Sequence, residues 1–134
     1  MSMTTTGFAA LAAGEGWHYV GGTGEPAFQN SWGNSSSEFN LAFRIRESGI
    51  VDIQGYVLNS GASSLYNDVI FTLPAGYVPS ALAFITAASD DASGHRQPEI
   101  VQIYTTSNAG DVIAPGNEFA RLYIQGQFFL NPPT

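Results

Sequence analysis

The sequence predicts an all-β protein, an antiparallel jelly-roll-like β-sandwich of about eight strands. Three observations predict it. Short runs of apolar and polar alternation recur along the chain, as at Leu41, Phe43 and Ile45 and again at Val51, Ile53, Gly55 and Val57, which is the period of a half-buried strand. Turns rich in Gly, Pro, Ser and Asn punctuate those runs at short intervals. No stretch holds a sustained helical period.

Composition narrows the class further. At 134 residues the chain suits one domain with one core. Apolar residues make up 44%, enough for a packed interior rather than disorder. Only 11% are charged, and Arg44, Arg46, Arg96 and Arg121 are the only cations against a net charge of −7. That leaves no clustered basic footprint for nucleic acid or an anionic membrane surface, so neither is expected as a partner. With no cysteine, disulfides and thiolate chemistry are excluded. No run is long enough to span a bilayer as a helix, and the N-terminus lacks the basic and apolar regions of a signal peptide.

In chain order, residues 1–16 read as a small-residue arm with Phe8 and Leu11 as its anchors, either frayed or ordered on a partner. Residues 17–130 form the sandwich, and 131–134 a tail. Trp17–Val20 is the first strand, with Trp17 and Tyr19 on one face. Residues 25–32 follow an irregular path carrying Phe28 and Trp32. Residues 41–46 and 50–58 make a hairpin around Glu47-Ser48-Gly49. Residues 65–73 form the next strand, ended by Pro74, after which Gly76 supplies the positive φ of a turn. Residues 81–87 suit helix by Ala and Leu content, but the Pro79 entry and the Leu82/Phe84 alternation favour strand. Ser89–Pro98 reads as the longest polar loop. Strands over 99–105, 111–113 and 119–125 follow, and 127–130 closes the fold.

An antiparallel sheet buries one face, yet Phe39, Tyr56, Tyr66, Tyr104, Phe119 and Tyr123 fall on or near the other. A surplus of that size marks an interface, and Tyr56, Tyr66, Tyr104, Phe119 and Tyr123 are assigned to contacts between copies. A register slip of one residue would instead turn some of them inward.

Chemistry is sparse. His18 and His95 are the only imidazoles, and no G-x-S-x-G nucleophile elbow accompanies them. Asp90, Asp91, His95 and Arg96 share one segment and form a candidate receptor loop, without the alternating oxygen ligands of a calcium loop. Gly21–Glu25 has neither the lysine nor the helix of a phosphate loop. Glu25 and Glu38 are two acids with nothing to pair them as glycosidase carboxylates. No catalytic residue, metal or cofactor is expected, and the chain is not expected to be an enzyme.

The segments Gly24-Glu25-Pro26-Ala27-Phe28-Gln29-Asn30-Ser31-Trp32, Val51 with Gly55, and Ile70-Phe71-Thr72-Leu73-Pro74-Ala75-Gly76-Tyr77-Val78-Pro79 together resemble the knob module of tail-fibre, minor-tail and head-surface proteins of tailed bacteriophages. The resemblance implies a β-sandwich knob on a virion, made in the host cytoplasm and assembled as a homotrimer, with no catalytic residues to carry over. Its short arm points to a capsid decoration protein tied to the major capsid protein through Phe8 and Leu11. The alternative is a tail-tip, minor-tail or tail-fibre knob, joined to tail proteins and binding host cell-wall carbohydrate.

Overall fold

A computed structural model describes residues 15–35, 38–61, 68–90, 95–106, 108–115 and 121–131. Among the described residues, nine strands form one antiparallel sheet: β1 (His18–Tyr19), β2 (Trp32–Asn34), β3 (Ala42–Arg46), β4 (Ile50–Asn59), β5 (Val69–Thr72), β6 (Ala83–Asp90), β7 (Arg96–Ile103), β8 (Asp111–Ile113) and β9 (Arg121–Phe129). They run in the order β1-β3-β4-β9-β6-β7-β8-β5, with β2 also on β4. The all-β antiparallel expectation holds, and of segment 81–87 the residues from Ala83 on are strand. The two layers of the sandwich are the two halves of this one sheet. Phe43 of β3 stacks on Phe71 of β5 at 5.7 Å, although these strands lie near opposite ends of the strand order, so the sheet curls over onto itself. Val51, Ile53 and Val57 of β4 and Leu122 and Ile124 of β9 are buried between the halves.

The 47–49 link is a single turn of 3-10 helix, and β3 and β4 pair around it from Arg46↔Ile50 to Ala42↔Gln54. Beyond Gln54 the partner of β4 changes to β2, from Asn34↔Val57 to Trp32↔Asn59. β2 and β3 are therefore two halves of one strand interrupted by an excursion between them, which carries Glu38, Phe39 and Asn40. Where the chain returns, a Cβ on Gly55 would stand 2.3 Å from Leu41 Cα. Only glycine fits beneath that crossing.

The proline corner ends β5 at Thr72. Tyr77 N–H donates to Pro74 O at 3.1 Å, and Gly76 has φ +96°, the conformation that the turn demands. The segment 26–31 seals the exposed edge of β5: Gln29 N–H donates to Ile70 O at 2.8 Å and Asn30 Nδ2 to Val69 O at 2.9 Å. Covering a strand edge removes a template for unwanted pairing. Buried Asn59 holds the same segment through Nδ2 to Asn30 O, 3.0 Å.

Three expectations are corrected. The long polar loop at Ser89–Pro98 does not exist as such: Ser89 and Asp90 end β6, Arg96, Gln97 and Pro98 begin β7, and the two strands pair in register from Ala83↔Ile103 to Asp90↔Arg96. Pro98 is tolerated because β8 pairs only with the far end of β7, at Gln102 and Ile103, so the Pro98 end is a sheet edge where a missing donor costs nothing. The two closing segments are one strand, β9, unbroken through Gly126. Finally, Trp32, read as the end of an irregular path, opens a short strand that runs to Asn34. Phe8, Leu11, Tyr66, Asp91 and Phe119 lie outside the described residues.

Candidate functional site

Strand alternation sends one set of side chains of β3, β4, β9, β6 and β7 inward and the other set out onto a single outer face. On that face Tyr56 and Tyr123 are direct cross-strand partners, with ring centroids 5.9 Å apart. The excursion before β3 lays Phe39 over Tyr123 in a stacked pair at 5.0 Å. Stacking of this kind adds to simple burial and fixes ring orientation. Tyr123 nonetheless stays 44% exposed, so one edge of the aromatic cluster is open to a ligand.

Charge sits beside the rings. Tyr56 Oη donates to Asp90 Oδ2 at 2.9 Å, and Arg96 Nε approaches the same oxygen at 3.6 Å. Tyr56, Ala88, Asp90, Arg96 and Tyr123 line a cleft of about 400 Å³. Two of the residues assigned to contacts between copies and two of those assigned to the receptor loop thus share one cleft. Register explains why: Ala88↔Tyr123 and Asp90↔Arg121 pair β6 with β9, while Asp90↔Arg96 closes the β6–β7 hairpin. His95 is exposed at the turn. Tyr104 is not part of this group. It follows β7, half-buried in the turn to β8, where its N–H donates to Asp111 O at 3.1 Å.

The outer face continues past Phe39. Trp17, Tyr19, Glu38, Phe39, Asn40, Ala42 and Gln54 line a second cleft of about 410 Å³. Trp17 takes the Arg44 guanidinium over its ring at 4.3 Å, a cation–π contact, and Asp52 Oδ2 lies 3.3 Å from Arg44 Nε and 3.2 Å from Arg46 Nε. The sequence placed Trp17 and Tyr19 on one face correctly. Their union with Phe39 and Gln54 has no sequence signal, because it depends on how far the excursion folds back.

A second cluster lies on the opposite side of β1. His18 Nδ1 is 2.9 Å from Glu25 Oε2 and His18 Nε2 is 2.9 Å from Glu15 Oε2. Tyr77 Oη donates to Glu15 Oε2 at 2.6 Å and lies 3.0 Å from His18 Nε2. Ile45 N–H donates to Glu15 Oε2 at 3.1 Å, and the imidazole stacks on Phe43 at 5.2 Å. Burial disfavours the charged ring, but the hydrogen bond to Glu25 and the carboxylate charges of Glu15 and Glu25 outweigh it, so His18 titrates above the ordinary histidine value. Burial likewise penalises the Glu15 carboxylate, but the hydrogen bonds from Tyr77 and Ile45 N–H and the neighbouring imidazolium hold it below the usual range. Burial, followed by the hydrogen bond and charge of Glu15, pushes the Tyr77 hydroxyl far above an ordinary phenol. Among the described residues, the side chains that meet in this group are Glu15, His18, Glu25 and Tyr77 against the Phe43 ring. Glu25 is spent here and Glu38 stands on the outer face.

No protein-family model matches the sequence, and no curated protein sequence does. Among solved structures, the receptor binding protein of Listeria phage PSA is similar over 89% of this chain, with a TM-score of 0.61 and 16% sequence identity. The match spans 66% of that protein, so this chain corresponds to just under two thirds of its length. At that identity the likeness is one of fold: the curled all-β body described above is also the fold of a phage receptor binding protein, in line with the phage knob resemblance of the sequence.

Proposed function

We propose that this chain is a host-surface-binding knob of a phage tail, and that the cleft of Tyr56, Ala88, Asp90, Arg96 and Tyr123 is its receptor site. The fold likeness to a phage receptor binding protein favours the tail alternative over a capsid decoration. The observation that carries the reading is the partly exposed aromatic cluster set beside an Asp–Arg pair. Ring faces cover the C–H surface of a sugar, while a carboxylate and a guanidinium accept from and donate to its hydroxyls. Host cell-wall carbohydrate is the ligand class this arrangement suits. Phe8 and Leu11 would tether the knob to tail proteins.

Calorimetric titration with purified host-wall polysaccharide tests the site. Tyr123→Ala should weaken binding about tenfold or more, corresponding to roughly 1.4 kcal/mol, with the fold retained because the ring is half-exposed. Binding that is absent from the unmodified protein, or equal in the variant, would overturn the assignment.

A trimer then needs another surface, since a cleft filled by a neighbouring copy is closed to a receptor. Leu82 comes just before β6, Phe84 stands on the outer face of β6, and Ile100 lies one diagonal step from Phe84 across the β6–β7 pair. All three are exposed, and apolar side chains grouped in this way favour an interface. Phe84→Ser should shift the sedimenting species from trimer towards monomer while leaving thermal stability within about 0.5 kcal/mol. A variant that sediments like the unmodified trimer would count against this surface.

A further inference from the structure

We propose that Glu15, His18, Glu25 and Tyr77 form a proton-dependent latch that holds the first strand on the proline corner at mildly acidic pH and releases it as the imidazolium loses its proton. The geometry is that of a clamp. Glu15 precedes β1, Glu25 lies in the turn after it, Tyr77 belongs to the corner after β5, and His18 touches all three. A charged imidazole has a donor on each nitrogen and satisfies both carboxylates at once; a neutral one has a single donor. Deprotonation therefore leaves two carboxylates facing one ring with one hydrogen bond between them.

Besides this cluster, the β1 segment is held by Val20 N–H donating to Leu41 O at 3.0 Å and by Trp17 against the Arg44 guanidinium. β1 itself is two residues long and pairs with β3 only at His18↔Phe43 and Tyr19↔Ala42. Glu15 extends this short ladder: its backbone N–H donates to Ile45 O at 3.1 Å while its carboxylate accepts from Ile45 N–H at the same distance. The other groups packed against His18 are the Phe43 and Tyr77 rings, and the Tyr77 hydroxyl stays protonated well above the range in which His18 titrates. His18 is thus the group of this cluster that loses its charge as pH rises past the ordinary histidine range, with Glu15 and Glu25 as its counter-ions.

The pH window follows from the two shifts. A histidine raised above 6.5 on folding contributes stability that is complete below 6.5 and lost as pH rises through its folded value. A glutamate lowered below 4.5 contributes stability that is complete above 4.5 and lost as pH falls through its folded value. Between 4.5 and 6.5 both contributions are present.

What the latch controls is the outer face. Trp17 and Tyr19 alternate with His18 along the same short strand and line the cleft of about 410 Å³. Fastening His18 inward holds those two rings outward; releasing it dismantles that cleft. This holds whether or not the neighbouring Tyr56–Tyr123 cleft takes a host glycan.

Hydrogen exchange followed by NMR on the full chain at about pH 6 and about pH 9, each amide corrected for its intrinsic rate, tests the latch. The protection of the Glu15 and Ile45 amides should fall several-fold at the higher pH, while the β4–β9 ladder stays protected. His18→Gln should remove that pH step. Equal protection at the two pH values, or an unchanged step in His18→Gln, would overturn the proposal. If His18→Gln fails to fold, the ring titration of His18 in the unmodified protein decides: a midpoint above that of the same histidine in the urea-unfolded chain supports the latch, and one at or below it overturns it.

Discussion

Gly55→Ala should destabilise the protein by more than about 3 kcal/mol, the upper end of ordinary overpacking, and should abolish the aromatic cluster of the outer face. The added Cβ would meet Leu41 Cα at 2.3 Å and Leu41 N at 2.6 Å. These are backbone atoms, so no rotamer change relieves the clash. Leu41 is itself fully buried, and its carbonyl accepts from Val20 N–H at 3.0 Å, which ties the crossing to the segment after β1. Tyr56 N–H donates to Phe39 O at 2.8 Å just beside it, so pushing the excursion away also withdraws Phe39 from Tyr123. Urea unfolding of the variant, with the midpoint as readout, checks the first part; loss of near-ultraviolet aromatic signal in whatever remains folded checks the second. A variant as stable as the unmodified chain would mean that the excursion does not cross at Gly55.

Phe43→Ala should cost about 3–5 kcal/mol, as expected for removal of a fully buried phenyl ring. That is a large part of the roughly 5–15 kcal/mol that holds a typical domain together. Phe43 has no exposed surface. Its ring stacks on Phe71 at 5.7 Å, meets Tyr77 edge-on at 5.1 Å and carries His18 on its other side. It therefore joins the β3 end of the sheet to the β5 end and to the proline corner. A truncated side chain leaves a cavity between layers that cannot close without sliding one half of the sheet. Phe43→Leu should lose much less, because it keeps most of the apolar volume. A loss under about 1 kcal/mol for Phe43→Ala would contradict face-to-face packing of the two halves.

The local features that were legible in the chain share a short range. The alternation at 41–46 and 50–58, the positive φ at Gly76 and the turn at Pro74 each depend on residues within a few positions of one another, where the strand period and turn chemistry act directly. The same local rules misread Ser89–Pro98. Its polar residues and its proline look like a loop, but they make a solvated hairpin whose register is set by Val101 and Ile103 pairing with Ile85 and Ala83 further in. Pro98 gives no warning there, because whether a proline breaks a strand depends on which side of that strand is already an edge.

The candidate site was half legible. Tyr56 and Tyr123 could be placed on the outer face by alternation, and Asp90, His95 and Arg96 could be placed together by proximity in sequence. That the two groups meet could not be read, because Tyr56 and Asp90 are 34 positions apart and come together only through β9, which separates β4 from β6 in the sheet. The His18 latch was less visible still: its Tyr77 arm reaches 59 positions along the chain.

By itself the sequence determined the all-β class, the alternating faces of the strands, the corner at Pro74 and the scarcity of cations, all consequences of residue type and near-neighbour spacing. The tertiary structure alone decided that the two layers are one curled sheet, which acids flank His18, and which tyrosine opens onto which carboxylate. Pairing between distant strands is selected by burial summed over the whole core, and no short window of residues contains that sum.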